Sequence, residues 1–347
     1  MKKYRIFIAT LALITLLNGC KDATFTNPIL PNGADPFAIN HNNNYYYTHT
    51  LGDSVGLWRT GDITDLKRAE YKTIWIPAQG QPYSKALWAP EIHNIDGKWY
   101  CHVTATDGNR FNRRIFVLEN ESTDPFEGEF VLKGKVASPD DNWAIDASVA
   151  KINGELYMVW SGWKETPYLD YVTQRIYIAK MSNPWTISSE RLEISAPTYD
   201  WERIYKVKKN RAEVYVNEGP EFLFHKDKVY IIYSGSACWT PEYKLGMLYA
   251  DIQSDLMDLT SWTKHDKPVF QQSIENGVYG PGHNSFLKSP DGKEDWNLYH
   301  ANDNPDDGCG KLRKPRLQKV EWNKEGVPVF GIPQAINTPM KKPSGIR

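Results

Sequence analysis

Residues 218–237 read EGPEFLFHKDKVYIIYSGSA. A polar leader, Glu218, stands before Gly219-Pro220, and a short apolar run through Phe222, Leu223 and Phe224 follows. A charged turn then gives way to a second run rich in Tyr and Ile. Two short β-type runs separated by turn residues read as a hairpin. The layout recurs at 34–50 (ADPFAINHNNNYYYTHT), 89–105 (APEIHNIDGKWYCHVTA), 145–162 (IDASVAKINGELYMVWSG) and 280–303 (GPGHNSFLKSPDGKEDWNLYHAND). Asn-Gly and Asp-Gly dipeptides in the turns suit two-residue hairpin loops, which need positive φ. Further strand-like runs lie between the hairpins, for example RRIFVLEN (113–120) and RIYIAKM (175–181). Four strands in a unit of forty or more residues is the pattern of a β-propeller blade.

The expectation is therefore an all-β chain, a single five-bladed β-propeller over residues 21–347. If the first strand of each blade lines the central channel, the leaders Asp35, Glu91, Asp146, Glu218 and His283 gather near one axis. The carboxylates could instead be ordinary solvated groups and His283 a satisfied structural histidine, and Asp35-Pro36 is a common turn starter. Their recurrence in five units weighs against that reading.

Bulk properties narrow the function. Lys and Arg number 41 against 42 Asp and Glu, so no basic surface invites nucleic acid or an anionic membrane. The chain carries 13 Trp, 20 Tyr and 12 Phe. Such flat faces with one polar handle suit sugar rings as well as cores. The N-terminus has a basic start (MKKYR), a short apolar run (residues 6–17) and LNGC ending at Cys20. The run is too short for a membrane span and fits an export signal. Gly19-Cys20 resembles a bacterial lipoprotein cleavage site, which would anchor Cys20 to the envelope through lipid; a plain signal peptide is the alternative. Cys101, Cys238 and Cys309 remain, so at most one disulfide forms and one thiol stays free. Cys101 reads as a small buried hydrophobe, and no pair has metal-site spacing.

Carboxylates crowded into one concave site repel each other, so one titrates high while another stays ionised. That split is what a general acid and a general base need. With aromatic walls and no cofactor motif, glycoside hydrolysis is the natural candidate.

The set ADPFAI (34–39), WAPEIHNIDGKWY (88–100), AIDASV (144–149), NEGPEFL (217–223) and YGPGHNSF (279–286) resembles glycoside hydrolase family 43, most of all its exo-acting α-L-arabinofuranosidases. The resemblance runs in order from about Asn27 to Pro333 and includes RKPRLQKVEWNKEGVPVFGIP (313–333). It implies a five-bladed propeller and an inverting hydrolase acting on plant cell-wall arabinan or arabino-oligosaccharides. It further implies that Asp35 is the base, Glu218 the acid and Asp146 the carboxylate that tunes the acid. His283 matches a histidine that meets a metal, usually calcium, through water, so a structural calcium is expected near the axis but no cofactor in the chemistry. Trp88 would wall the sugar pocket, with Trp143 as the second choice. Arg313 would reach the rim, with Arg316 as the rival alignment. Glu91 falls outside the trio and reads as structural or hydrogen-bonding. Glu221 is a less favoured rival for the acid. β-Xylosidase or endo-arabinanase activity on the same scaffold, retaining hydrolysis, and glycan binding without cleavage are the other readings.

Overall fold

The computed structural model describes residues 23–165, 173–205 and 214–346. The expected export signal and Cys20 lie outside the described residues. The described chain is nearly all β, with only four short 3₁₀ turns between its strands. Each of the five hairpins appears where the repeats place it. Ala34–His41 pairs with Asn44–Thr50, Lys85–Ile95 with Lys98–Thr106, and Ala144–Ile152 with Glu155–Gly162. Tyr215–His225 pairs with Lys228–Gly235, and Tyr279–Lys288 with Asp295–Asn302. The turns carry the positive φ angles their residues tolerate, as at Asn42-Asn43, Asp96-Gly97 and Asn153-Gly154. Third and fourth strands complete antiparallel four-stranded sheets in the first, second and fifth units. The third and fourth units are joined instead, because Thr173 and Gln174 pair in parallel with Tyr215 and Val216.

The sheets are covered on both faces, which explains the near-continuous apolar runs in place of simple alternation. Tyr45, Tyr46 and Tyr47 are consecutive and all buried. Five apolar clusters lie between successive units. Phe37 and Leu57 of the first unit pack with Ile92 and Trp99 of the second. Tyr100 and Val117 pack with Val149 and Met158, and Val159 and Ile178 with Ile231 and Tyr233. Leu223 and Ile232 meet Tyr299 and Val320. Leu298 and Leu317 of the fifth unit return to Ala38 and Tyr47 of the first. The first strands likewise neighbour one another in sequence order, and that of the fifth unit lies beside that of the first.

The feature that builds the site is a bulge. Every first strand shifts register near its start, between Ala34 and Phe37, Trp88 and Glu91, Ile145 and Ser148, Glu218 and Glu221, and Gly282 and Ser285. Inside the bulges Asp35, Ala89, Asp146, Gly219 and His283 have φ of 56°, 44°, 57°, 53° and 44°. A bulge re-aims a side chain and is common beside active sites. A left-handed non-glycine residue costs on the order of 1–3 kcal/mol unless its surroundings hold it. Here they do, since each bulged N–H donates to a side chain of the preceding unit. The acceptors are His300 Nδ1 for Asp35 (3.1 Å), Thr50 Oγ1 for Ala89 (2.8 Å), Thr104 Oγ1 for Asp146 (3.1 Å) and Ser234 Oγ for His283 (2.7 Å). The first unit thus takes its acceptor from the fifth. At Gly219 the acceptor is Asp146 Oδ2, at 3.2 Å.

This corrects the sequence register. Asp35, Asp146 and His283 share one structural position, but Glu91 and Glu218 do not. Glu218 precedes its bulge residue by one, and Glu91 follows its own by two. Glu91 is equivalent to Glu221, and also to Phe37, Ser148 and Ser285, one layer deeper.

Candidate active site

The bulges open onto one cavity of about 700 Å³, within the size range of small-ligand sites. Asp35, Asp146, Glu218, Trp88, Trp143, His283 and Arg313 all line it. Residues up to 278 positions apart therefore meet, and all three carboxylates belong to one concavity.

Their environments differ sharply. Asp35 Oδ1 accepts from Arg313 Nη1 at 2.7 Å and Oδ2 from the Thr50 hydroxyl at 2.7 Å. His283 Nδ1 lies 3.4 Å and His300 Nδ1 3.5 Å from Oδ1. Burial alone would push the Asp35 carboxyl up, but the charge of Arg313, with the Thr50 hydroxyl, outweighs it and holds it well below the usual aspartate range. Glu218 goes the other way. Burial lifts it to about 7, with the negative charge of Asp35 adding to the rise, while the Tyr243 hydroxyl and Arg313 pull against it. The Tyr243 hydroxyl donates to Glu218 Oε1 at 2.9 Å. Asp146 is raised well above its ordinary value, first by burial and then by the charges of Glu218 and Asp35. Asp146 and Glu218 therefore titrate as a pair, above an Asp35 that stays ionised. His283 is pushed down by burial and is neutral in the ordinary range.

The walls are aromatic and cationic. The Arg113 guanidinium lies 4.0 Å over the Trp88 ring, a cation–π contact that covers one face and holds the indole in place. Trp143 stacks on Trp163 at 4.4 Å with 2° between the planes, and its Nε1 donates to the Arg110 carbonyl. Arg313 does more than reach the rim, since it is the ion-pair partner of Asp35. Arg316 is not its equivalent: it is fully buried and pairs with Asp303. Cys238 and Cys309 form the one disulfide among the described residues and both line the cavity, tying the Trp239 loop to the loop that carries Arg313. Cys101 is the buried free thiol.

Glu91 and Glu221 lie beneath this layer, and both are buried. Burial raises both well above the usual range, and neither lines the cavity. His93 Nε2 reaches Glu91 Oε2 at 3.1 Å. Among the described residues no three His, Cys, Asp or Glu side chains are grouped to hold a metal ion. Calcium wants six to eight oxygens, so a direct ligand set does not fit here and His283 would meet a cation only through water.

Sequence reasoning missed Thr50, Tyr243, His300 and Arg113, and left Trp163 undecided between packing and the sugar pocket. Thr50 and His300 lie at or near the ends of second strands of the repeat, at the place where Thr104 and Ser234 also hold a bulge. Aligning those strand ends would have found them. Tyr243 sits in a loop outside the repeat, and nothing in the sequence points to it.

Known proteins resemble the chain over nearly its whole length. The family model described as glycosyl hydrolases family 43 matches residues 25–328. An extracellular exo-α-(1→5)-L-arabinofuranosidase of Streptomyces avermitilis is 40% identical over 350 residues, covering 95% of this chain and 70% of that protein. α-L-Arabinofuranosidase 43 of Humicola insolens is 32% identical over 342 residues, covering 95% and 69%. Among solved structures, an α-L-arabinofuranosidase from Lactobacillus brevis superposes with a TM-score of 0.82 at 33% identity, covering 90% of this chain and 98% of the other.

Proposed function

Because the chain belongs to glycoside hydrolase family 43, we propose that it is an exported exo-α-L-arabinofuranosidase that releases L-arabinofuranose from arabinan or α-1,5-linked arabino-oligosaccharides with inversion. The observation that carries this reading is the opposed state of two carboxyl groups in one cavity. Asp35 is ionised by Arg313, and Glu218 keeps a proton up to about pH 7.

In the proposed reaction Asp35 takes a proton from a water whose oxygen attacks the anomeric carbon. As that C–O bond forms, the glycosidic C–O bond breaks and Glu218 gives its proton to the departing oxygen. Asp35 ends protonated and Glu218 ionised, and solvent resets both. Asp146 accepts the N–H of Gly219, next to the acid, and its coupled ionisation keeps a proton in the pair at neutral pH. Arg313 orients Asp35 as well as charging it, while Trp88 and Trp143 form the sugar-facing walls.

The fold proposed to carry this is a single five-bladed propeller over residues 21–347. Support comes from the five bulged first strands and the five apolar clusters between units. The chemistry proposed needs no metal, and a calcium ion near the axis would be met by His283 through water. Export agrees with the extracellular relatives, and envelope anchoring through Cys20 remains the proposal for the N-terminus.

The test is the product profile on linear and branched arabinan. Arabinose is expected as the sole early product. A ladder of oligosaccharides would favour the endo-arabinanase reading, and release of xylose from xylo-oligosaccharides with none of arabinose would favour a xylosidase.

A further inference from the structure

Tyr243 lies outside the repeat and belongs to no motif. It is nonetheless buried, and its hydroxyl donates to Glu218 Oε1 at 2.9 Å. The ring has little freedom. It stacks on His300 with 1° between the planes at 5.7 Å, and it fills the space that a side chain at residue 282 would need. A Cβ on Gly282 would collide with Tyr243 Cε1. Glycine at 282 is therefore the condition for this tyrosine, next to the bulge that carries His283. His300 in turn accepts the N–H of Asp35 through Nδ1, so one rigid stack touches the structures that hold both the proposed acid and the proposed base.

A protonated carboxyl group has two unlike oxygens, one carrying the proton and one only accepting. A donor fixed on Oε1 makes that oxygen the acceptor and leaves the proton to Oε2. We propose that Tyr243 is a positioning residue that selects Oε2 of Glu218 as the oxygen carrying the transferred proton. This rests on the assignment of Glu218 as the acid. The charged and titratable groups facing Glu218 are Asp35, Asp146, Arg313 and Tyr243 itself. Among the groups that act on Glu218, the tyrosine hydroxyl favours its ionised form, so losing the hydroxyl must raise the pH at which the acid loses its proton.

The experiment is Tyr243→Phe, which keeps the ring and its stack. The basic limb of the kcat/KM profile is expected to move up by about half a unit to one unit, the worth of one hydrogen bond. On an unactivated arabino-oligosaccharide kcat is expected to fall about tenfold, within the range of acid–base contributions, while KM and the acidic limb stay put. In a Glu218→Gln background the same change is expected to have no further effect. An unmoved basic limb, or an equal further loss in the Glu218→Gln background, would overturn the proposal. The two levels of inference separate cleanly. Arabinan hydrolysis retained by Glu218→Gln alone would defeat the acid assignment, whereas a dead Glu218→Gln with a wild-type-like Tyr243→Phe would defeat only the role of Tyr243.

Discussion

Asp35→Asn is expected to lower kcat/KM by about 10⁴-fold on arabinan and on activated aryl arabinofuranosides alike, the upper range for loss of one acid–base group. The base acts on water whatever the leaving group, so no substrate should escape the loss. Asn fits the same space and can still accept from Thr50, so the fold should survive. It cannot take a proton, and it withdraws the charge that pairs with Arg313 at 2.7 Å. Azide, which attacks without being deprotonated, is expected to restore release of the leaving group and to yield the arabinosyl azide. A variant keeping more than about 1% of wild-type activity on arabinan would remove Asp35 from the reaction, since a base worth only hundredfold lies at the bottom of the usual range.

The second large effect belongs to Glu218→Gln, and here the leaving group decides its size. An arabinosyl oxygen leaving from arabinan needs a proton, and a loss of about 10⁴-fold is expected. A dinitrophenolate needs none, and its release should slow far less. The pH profile carries the same information. In the wild-type protein the acid must be protonated, and burial lifts Glu218 to about 7. Activity is thus full below that pH and lost as pH rises through it. Asp35, held well below the usual range, should leave the acidic side nearly flat down to the ordinary aspartate value of about 3.9. In Glu218→Gln the basic limb near 7 should vanish. A limb that persists in the variant would belong to another group, and an equal loss on both substrates would show that the residue is not the proton donor.

Much of this was legible in the sequence, and the reason it stopped where it did is physical. Hairpins announce themselves through turns such as Asp96-Gly97 and Asn153-Gly154, whose residues tolerate the φ they adopt. Strand alternation, however, runs only as far as the first bulge. An extra residue breaks the period of two, so counting along the strand aligned Glu91 with Asp35 when Ala89 is its counterpart. The environment of each carboxylate was invisible for a different reason. Asp35 is held by Thr50 nearby, but also by His300 and Arg313, 265 and 278 residues away. Cys238 and Cys309 posed the same difficulty: three cysteines allow at most one disulfide, but whether and between which pair it forms depended on two loops meeting at the cavity.

The stereochemistry of the first turnover tests the two-carboxylate arrangement most directly. A base that activates water on the face opposite the leaving group inverts the anomeric centre, whereas a nucleophilic carboxylate would retain it. Proton NMR of fresh hydrolysis of an α-L-arabinofuranoside is expected to show β-L-arabinofuranose first, with the α anomer growing in only by mutarotation. The α anomer as the first-formed sugar would mean that a carboxylate bonds to the sugar, and Asp35 as a base and Glu218 as a single-step acid would no longer stand.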